Sequence, residues 1–172
     1  MTANAKKIVN AQIKEELYSA YVYLALAARL EASNLKGMAN WMQVQAKEEV
    51  DHAMGFYRFL LDRGVEPELE AINKPDISSI NGPADSFALA LRHEQHVTAL
   101  ISKILEAARE EGDYALESFV KWYIDEQVEE EASATEALEK IKLADGNGAA
   151  LLMLDAQFAS RSYKPSGPYA KE

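Results

Sequence analysis

Apolar residues recur along most of the chain at alternating steps of three and four, the period of a helix with one buried face. Four long stretches carry that pattern. Over residues 4–33, with Asn4 as cap, the buried line reads Val9, Ile13, Glu16, Ala20, Tyr23, Ala27 and Leu30. Over 37–63 it reads Met38, Met42, Gln45, Glu49, His52, Phe56 and Phe59, and Gly64 closes the helix. Over 83–111, opened by Pro83, it reads Phe87, Leu91, Glu94, Thr98, Ile101, Leu105 and Ala108. Two lines fit the fourth stretch, 113–144, about equally. One is Leu116, Phe119, Tyr123, Glu126, Glu130, Ser133 and Ala137; the other is Val120, Tyr123, Gln127, Glu130, Ala134 and Ile141. Glu130 belongs to both.

The breaks between these stretches set the topology. Asn34 to Gly37 is too short for anything except an antiparallel neighbour, and Gly112-Asp113 marks a turn and a cap. Residues 64–82 hold Pro67, Pro75 and Asn81-Gly82 without sustained periodicity. An extended chain of that size reaches roughly 60 Å, whereas a helix of the expected length is about 42 Å long. The loop can therefore cross the whole bundle, which makes the second and third helices parallel. The expectation is an all-α, up-down-down-up four-helix bundle in a single domain, 1–172, with one long crossover loop. A short fifth helix at 147–161, carrying Leu151, Leu152, Leu154 and Phe158, is either a lid on the core or an oligomer contact. The tail from Tyr163 to Glu172 is expected to be poorly ordered.

Composition narrows the chemistry. The 172 residues are 48% hydrophobic and 27% charged, ordinary for a soluble chain. A net charge of −10 disfavours nucleic acid and anionic membrane surfaces and favours small cations. With no cysteine, any metal must be held by oxygen and imidazole nitrogen. Met1 to Lys7 is polar and charged, and no apolar run approaches the roughly 20 residues of a membrane span; the reading is a cytoplasmic protein.

Each buried line is interrupted near mid-length by an acid: Glu16, Glu49, Glu94 and Glu130. An unpaired buried ion costs several kcal/mol, a large share of a domain's stability of about 5–15 kcal/mol. Neither lysine nor arginine appears on the seams beside these acids, so a pair of metal ions is the better counter-charge. Glu49 and His52, three apart, can share one ion, and Glu49 is placed to bridge two. Glutamates from two further helices, with Gln127 and Glu130 on the fourth, complete a set known from carboxylate di-metal bundles. Carboxylates with one imidazole suit iron or manganese, with zinc as a further option.

Four runs carry a family likeness: Glu16-Leu17-Tyr18-Ser19-Ala20-Tyr21, Glu48-Glu49-Val50-Asp51-His52-Ala53, Arg92-His93-Glu94-Gln95, and Trp122 through Glu131. In order and separation they resemble the non-haem bacterial and archaeal ferritins, which implies a ferritin-like bundle. The resemblance implies one iron held by Glu16, Glu49 and His52, and a second held by Glu49, Glu94 and Glu130. Gln127 would contact bound oxygen or a bridging species. Glu48, Glu126 and Glu129, with Glu130, match a third iron site, and Tyr23 matches a tyrosine beside the centre. Haem is not expected, because Val50 stands where haem-binding bacterioferritins have methionine, and Gln127 and Glu130 stand where they have Glu-x-x-His.

The function so implied is Fe(II) oxidation by O2 or H2O2 and storage of Fe(III) as mineral in a homo-oligomeric cage of about 24 copies. A di-iron oxidase or peroxidase without storage, and a metal-free helical interaction bundle, are the alternatives. His93 and His96 read as a solvated pair, and Tyr23, Tyr123 and Trp122 chiefly as core aromatics.

Overall fold

Helix boundaries follow the capping chemistry of the chain. The computed structural model describes residues 1–144 and 146–170. It contains α1 (Ala3–Ala32), α2 (Lys36–Asp62), α3 (Pro83–Glu110), α4 (Tyr114–Leu143) and α5 (Gly148–Phe158), with no strand among the described residues. Thr2, not Asn4, caps α1, its hydroxyl accepting from the Ala5 amide at 3.1 Å. Asn4 lies in the first turn and donates to Glu111 in the turn between α3 and α4. Asn34 takes the left-handed conformation (φ 60°) that reverses the chain between α1 and α2. Gly64, at φ 68°, ends α2. Asp113 caps α4 through the Leu116 amide and also accepts both arms of the Arg63 guanidinium at 3.0 and 3.1 Å, which ties the end of α2 to the start of α4.

The buried lines of α1 and α2 are the expected ones. On α3 the fully buried line is Phe87, Ala90, Glu94, Val97, Ile101, Ile104 and Ala108, while Leu91, Thr98 and Leu105 are only half-buried. On α4 the second of the two candidate lines is buried, with Gln127 inside and Ser133 exposed. These faces build two apolar clusters. One gathers Tyr23, Leu26, Trp41, Met42, Phe87 and Leu138; the other gathers Val9, Ile13, Phe56, Leu60, Ile101 and Leu116. The buried acids form a polar layer between the two.

The chain between α2 and α3 leaves the second cluster at Val65 and joins the first at Ile80. It runs along α1, where the Glu68 amide donates to Asn10 (2.8 Å) and Arg29 donates to the Ile80 carbonyl (2.5 Å). The crossing makes α2 and α3 parallel, giving the up-down-down-up bundle.

Helix α5 stops at Phe158, three residues short of expectation, and the next segment is extended. Leu151, Leu154 and Phe158 pack on the first cluster, Phe158 stacking on Phe87 at 5.4 Å. Leu152 and Met153 on its other side are exposed. Docking depends on Gly37, where a Cβ would stand 1.7 Å from the Asp155 carbonyl oxygen. Asp155 in turn accepts from the Met38 amide at 2.8 Å, capping α2, whose own cap position, Leu35, offers no side-chain acceptor.

The tail is not loose up to residue 170. It runs beside α2, in the same direction: Arg161 meets Gln45 and Glu48, Tyr163 meets Asp51 (2.6 Å), and Tyr169 meets Asp62 (2.6 Å). Aromatic hydroxyls and an arginine supply the anchors that a reading of hydrophobic periodicity passes over. Residues 171 and 172 lie outside the described residues.

Candidate metal centre

The mid-length acids of all four long helices meet in the layer between the clusters. Glu16, Glu49, His52, Glu94, Gln127 and Glu130 are each at most 6% exposed. Ligand atoms of Glu16, Glu49 and His52 lie within 4.8 Å of one another, and so do those of His52, Glu126 and Glu130. His52 thus belongs to both groups. Its Nδ1 is 3.6 Å from Glu49 Oε2, and its Nε2 is 3.9 Å from Glu126 Oε1.

Most of these carboxylates are held by a neutral donor. Gln12 donates to Glu16 Oε1 (2.9 Å), Gln45 to Glu130 Oε2 (2.7 Å), and Gln127 to Glu94 Oε2 (3.2 Å). The Tyr23 hydroxyl donates to the other Glu94 oxygen. Outer partners of this kind orient a ligand without using up its charge. Glu16 Oε2 and Glu49 Oε1 are buried and receive no amide, hydroxyl or cationic donor, and in the metal-free chain a proton held between the two carboxyls relieves their repulsion.

Electrostatics agree. Burial raises the carboxyl pKa of Glu16, Glu49, Glu94 and Glu130. Glu49 is pushed well above the usual carboxylate range, by burial first and then by Glu94, Glu16 and Glu130; Glu130 is pushed up to about 8. The metal-free centre holds protons where a multivalent cation would displace them. Burial, then the nearby Glu94, pushes the Tyr23 phenol well above its ordinary value, so it acts as a neutral donor.

Glu94 lies outside both close groups, engaged by Tyr23 and Gln127. Gln127 turns its amide toward Glu94 and Thr98, as an orienting group. Of the four residues matched to a third iron site, Glu126 and Glu130 sit together beside His52. Glu48 is instead paired with Arg161 at 2.6 Å, and Glu129 is exposed and outside both groups. Tyr123 donates to the His52 carbonyl (2.9 Å), a contact that only glycine at position 55 permits, since a Cβ there would stand 2.1 Å from the hydroxyl. Its role is to hold α2 against α4. His93 meets Ser19 at 2.7 Å, and burial lowers its pKa to about 4, which keeps it neutral.

Sequence reasoning passed over Gln12, Arg161 and Ser166. Gln12 lies one helical turn before Glu16, so spacing alone could have found it. Arg161 and Ser166 come from non-helical chain, and no periodicity points to them.

The family model for the ferritin-like domain matches residues 6–144. A bacterial non-heme ferritin of Staphylococcus aureus is 33% identical over 165 residues, covering 95% of this chain and 98% of its own. Ferritin BfrB of Mycolicibacterium smegmatis is 36% identical over 160 residues, covering 93% and 86%. Among solved structures, an open pore ferritin from the hyperthermophilic archaeon Archaeoglobus fulgidus superposes with a TM-score of 0.92 at 40% identity, over 94% of this chain and 98% of that one. Likeness of this extent in sequence and backbone, added to buried acids meeting from four helices, shows that the chain belongs to the ferritin family, in its non-haem bacterial and archaeal branch.

Proposed function

We propose that this ferritin oxidises Fe(II) between its four long helices, with Glu16, Glu49 and His52 holding one ion and Glu49, Glu94 and Glu130 the other. The observation that carries this reading is the pair of buried oxygens, Glu16 Oε2 and Glu49 Oε1, that no amide, hydroxyl or cationic group reaches, although Gln12, Gln45, Gln127 and Tyr23 hold Glu16 Oε1, Glu130 Oε2 and both oxygens of Glu94. Iron is both substrate and cargo. Two Fe(II) ions each release one electron, so O2 takes up two electrons and two protons and leaves as H2O2 beside two Fe(III); H2O2 can itself serve as oxidant. Anionic ligands favour the higher charge of Fe(III) and drive the oxidation. Gln12, Gln45, Gln127 and Tyr23 hold the carboxylates in place, which keeps both ions close enough to react as a pair.

Fe(III) then leaves the centre and is stored as mineral. Storage requires a cavity, and two features support assembly: the uncovered Leu152 and Met153 on α5, and exposed Tyr21, Leu24, Val50 and Met54 along α1 and α2. A closed homo-oligomer of about 24 copies in the cytoplasm is the form proposed. The test is aerobic addition of Fe(II), followed by ultraviolet absorbance and by electron microscopy. Fast oxidation and an electron-dense core within a hollow particle are expected. Fast oxidation by a small dimer that forms no mineral would favour an oxidase without storage. Glu49→Gln should slow oxidation by at least about a hundredfold, since loss of even an outer partner of a ligand costs about 10–100-fold.

A further inference from the structure

The side of the centre between α2 and α4 is covered by the chain that follows α5. Arg161 Nη2 donates to Glu48 Oε2 at 2.6 Å and to the side-chain oxygen Oε1 of Gln45, and Nε2 of the same Gln45 amide donates to Glu130 Oε2 at 2.7 Å. Ser166 Oγ donates to Glu126 Oε1 at 3.2 Å and lies 3.4 Å from His52 Nε2. Three of the four acids matched to a third iron site are therefore engaged by, or linked to, two residues of the tail. The segment is fastened on both sides of these contacts. Arg161 lies over the Trp41 ring at 4.6 Å, Asp51 accepts from the Tyr163 hydroxyl and the Ser166 amide, and Tyr169 reaches Asp62. Arg161 Nη1, in contrast, is buried without a hydrogen-bond partner. The guanidinium is the cation paired with Glu48, and a metal ion that took Glu48 as a ligand would compete with it.

We propose that residues 161–166 form a strap in which Arg161 takes the place of a third metal ion, closing the outer carboxylate site until the strap is displaced. The inference rests on the di-iron reading of the inner site. A metal ion bound by Glu48, Glu126 and Glu130 must break the Arg161 and Ser166 contacts; while they persist, iron beyond the inner pair is held weakly. Metal loading and release of the tail are thus two readings of one equilibrium.

Calorimetric titration of the assembled full chain with Co(II) alone, which probes binding without oxidation, tests this. The wild-type protein should bind about two ions per chain and a third more weakly, and Arg161→Gln should tighten the third by about tenfold or more, the worth of a charge-assisted hydrogen bond. The inner two should be unchanged. Hydrogen exchange of residues 161–170 in the wild type should accelerate as the third ion binds. An unchanged third affinity in Arg161→Gln, or a third ion bound with no change in tail exchange, would overturn the strap while leaving the inner site standing. Absence of saturable binding in both proteins would overturn the inner site and the strap together.

Discussion

At Glu49 three neighbouring carboxylates add to burial in raising the cost of its charge. The sign of the resulting pH dependence follows from linkage. Glu130 has its pKa raised from 4.5 to about 8 in the folded, metal-free chain, so the folded state binds more protons than the unfolded one between those values. Its contribution to stability is full below pH 4.5 and is lost as pH rises through about 8. Glu16, Glu49 and Glu94 shift in the same direction. Scanning calorimetry of the metal-free protein should therefore give a lower melting temperature at about pH 8.5 than at about pH 6, and added Co(II) should abolish the difference. A metal-free melting temperature that rises over this range would contradict the account. The inward acids and the histidine were legible residue by residue, because Glu16, Glu49, His52, Glu94 and Glu130 each occupy a position whose apolar neighbours are buried. Arg161 was not, since nothing in an extended segment ties a side chain to a given face.

At the level of elements, α5 both covers one end of the core and supplies what α2 lacks. The Asp155 carboxylate caps α2 from 117 residues away in sequence, and Asp155→Ala should cost about 1 kcal/mol, the usual worth of a lost cap. Gly37→Ala should cost about 1–3 kcal/mol as an overpacking change, with a Cβ directed at the α5 backbone. Denaturant unfolding of both variants checks these values; unchanged stability in Gly37→Ala would mean that α5 does not dock as described. Helix positions and the crossover were readable from caps, turns and loop length. Register on α3 was not fully so. The buried stripe of a helix is at least about 100° wide, and Leu91, Thr98 and Leu105 flank the inner line closely enough to share its spacing. Buried Gln127 and half-buried Glu126 resolve the same ambiguity on α4.

Across the whole molecule, an apolar core is interrupted by a layer of acids and framed by surfaces that a lone chain leaves uncovered. The first fits metal binding and the second fits assembly, and together they match the storage role of the family. Replacing both Leu152 and Met153 by glutamate should shift the particle to smaller species on a sizing column while circular dichroism retains the helical signal. A particle of unchanged size would remove α5 from the subunit contacts. No helix among the described residues is long and apolar enough to cross a membrane. Assembly was the least legible property of the sequence, because an apolar helix that lids its own core and one that meets a neighbour share one pattern, and α5 carries both kinds of face.

The most direct test of the central claim is anomalous diffraction at the iron edge from crystals soaked in Fe(II) without oxygen. Two peaks about 3.5–4 Å apart are predicted, one beside Glu16, Glu49 and His52, the other beside Glu49, Glu94 and Glu130. Crystals that take up iron elsewhere while this layer stays free of anomalous density would contradict it.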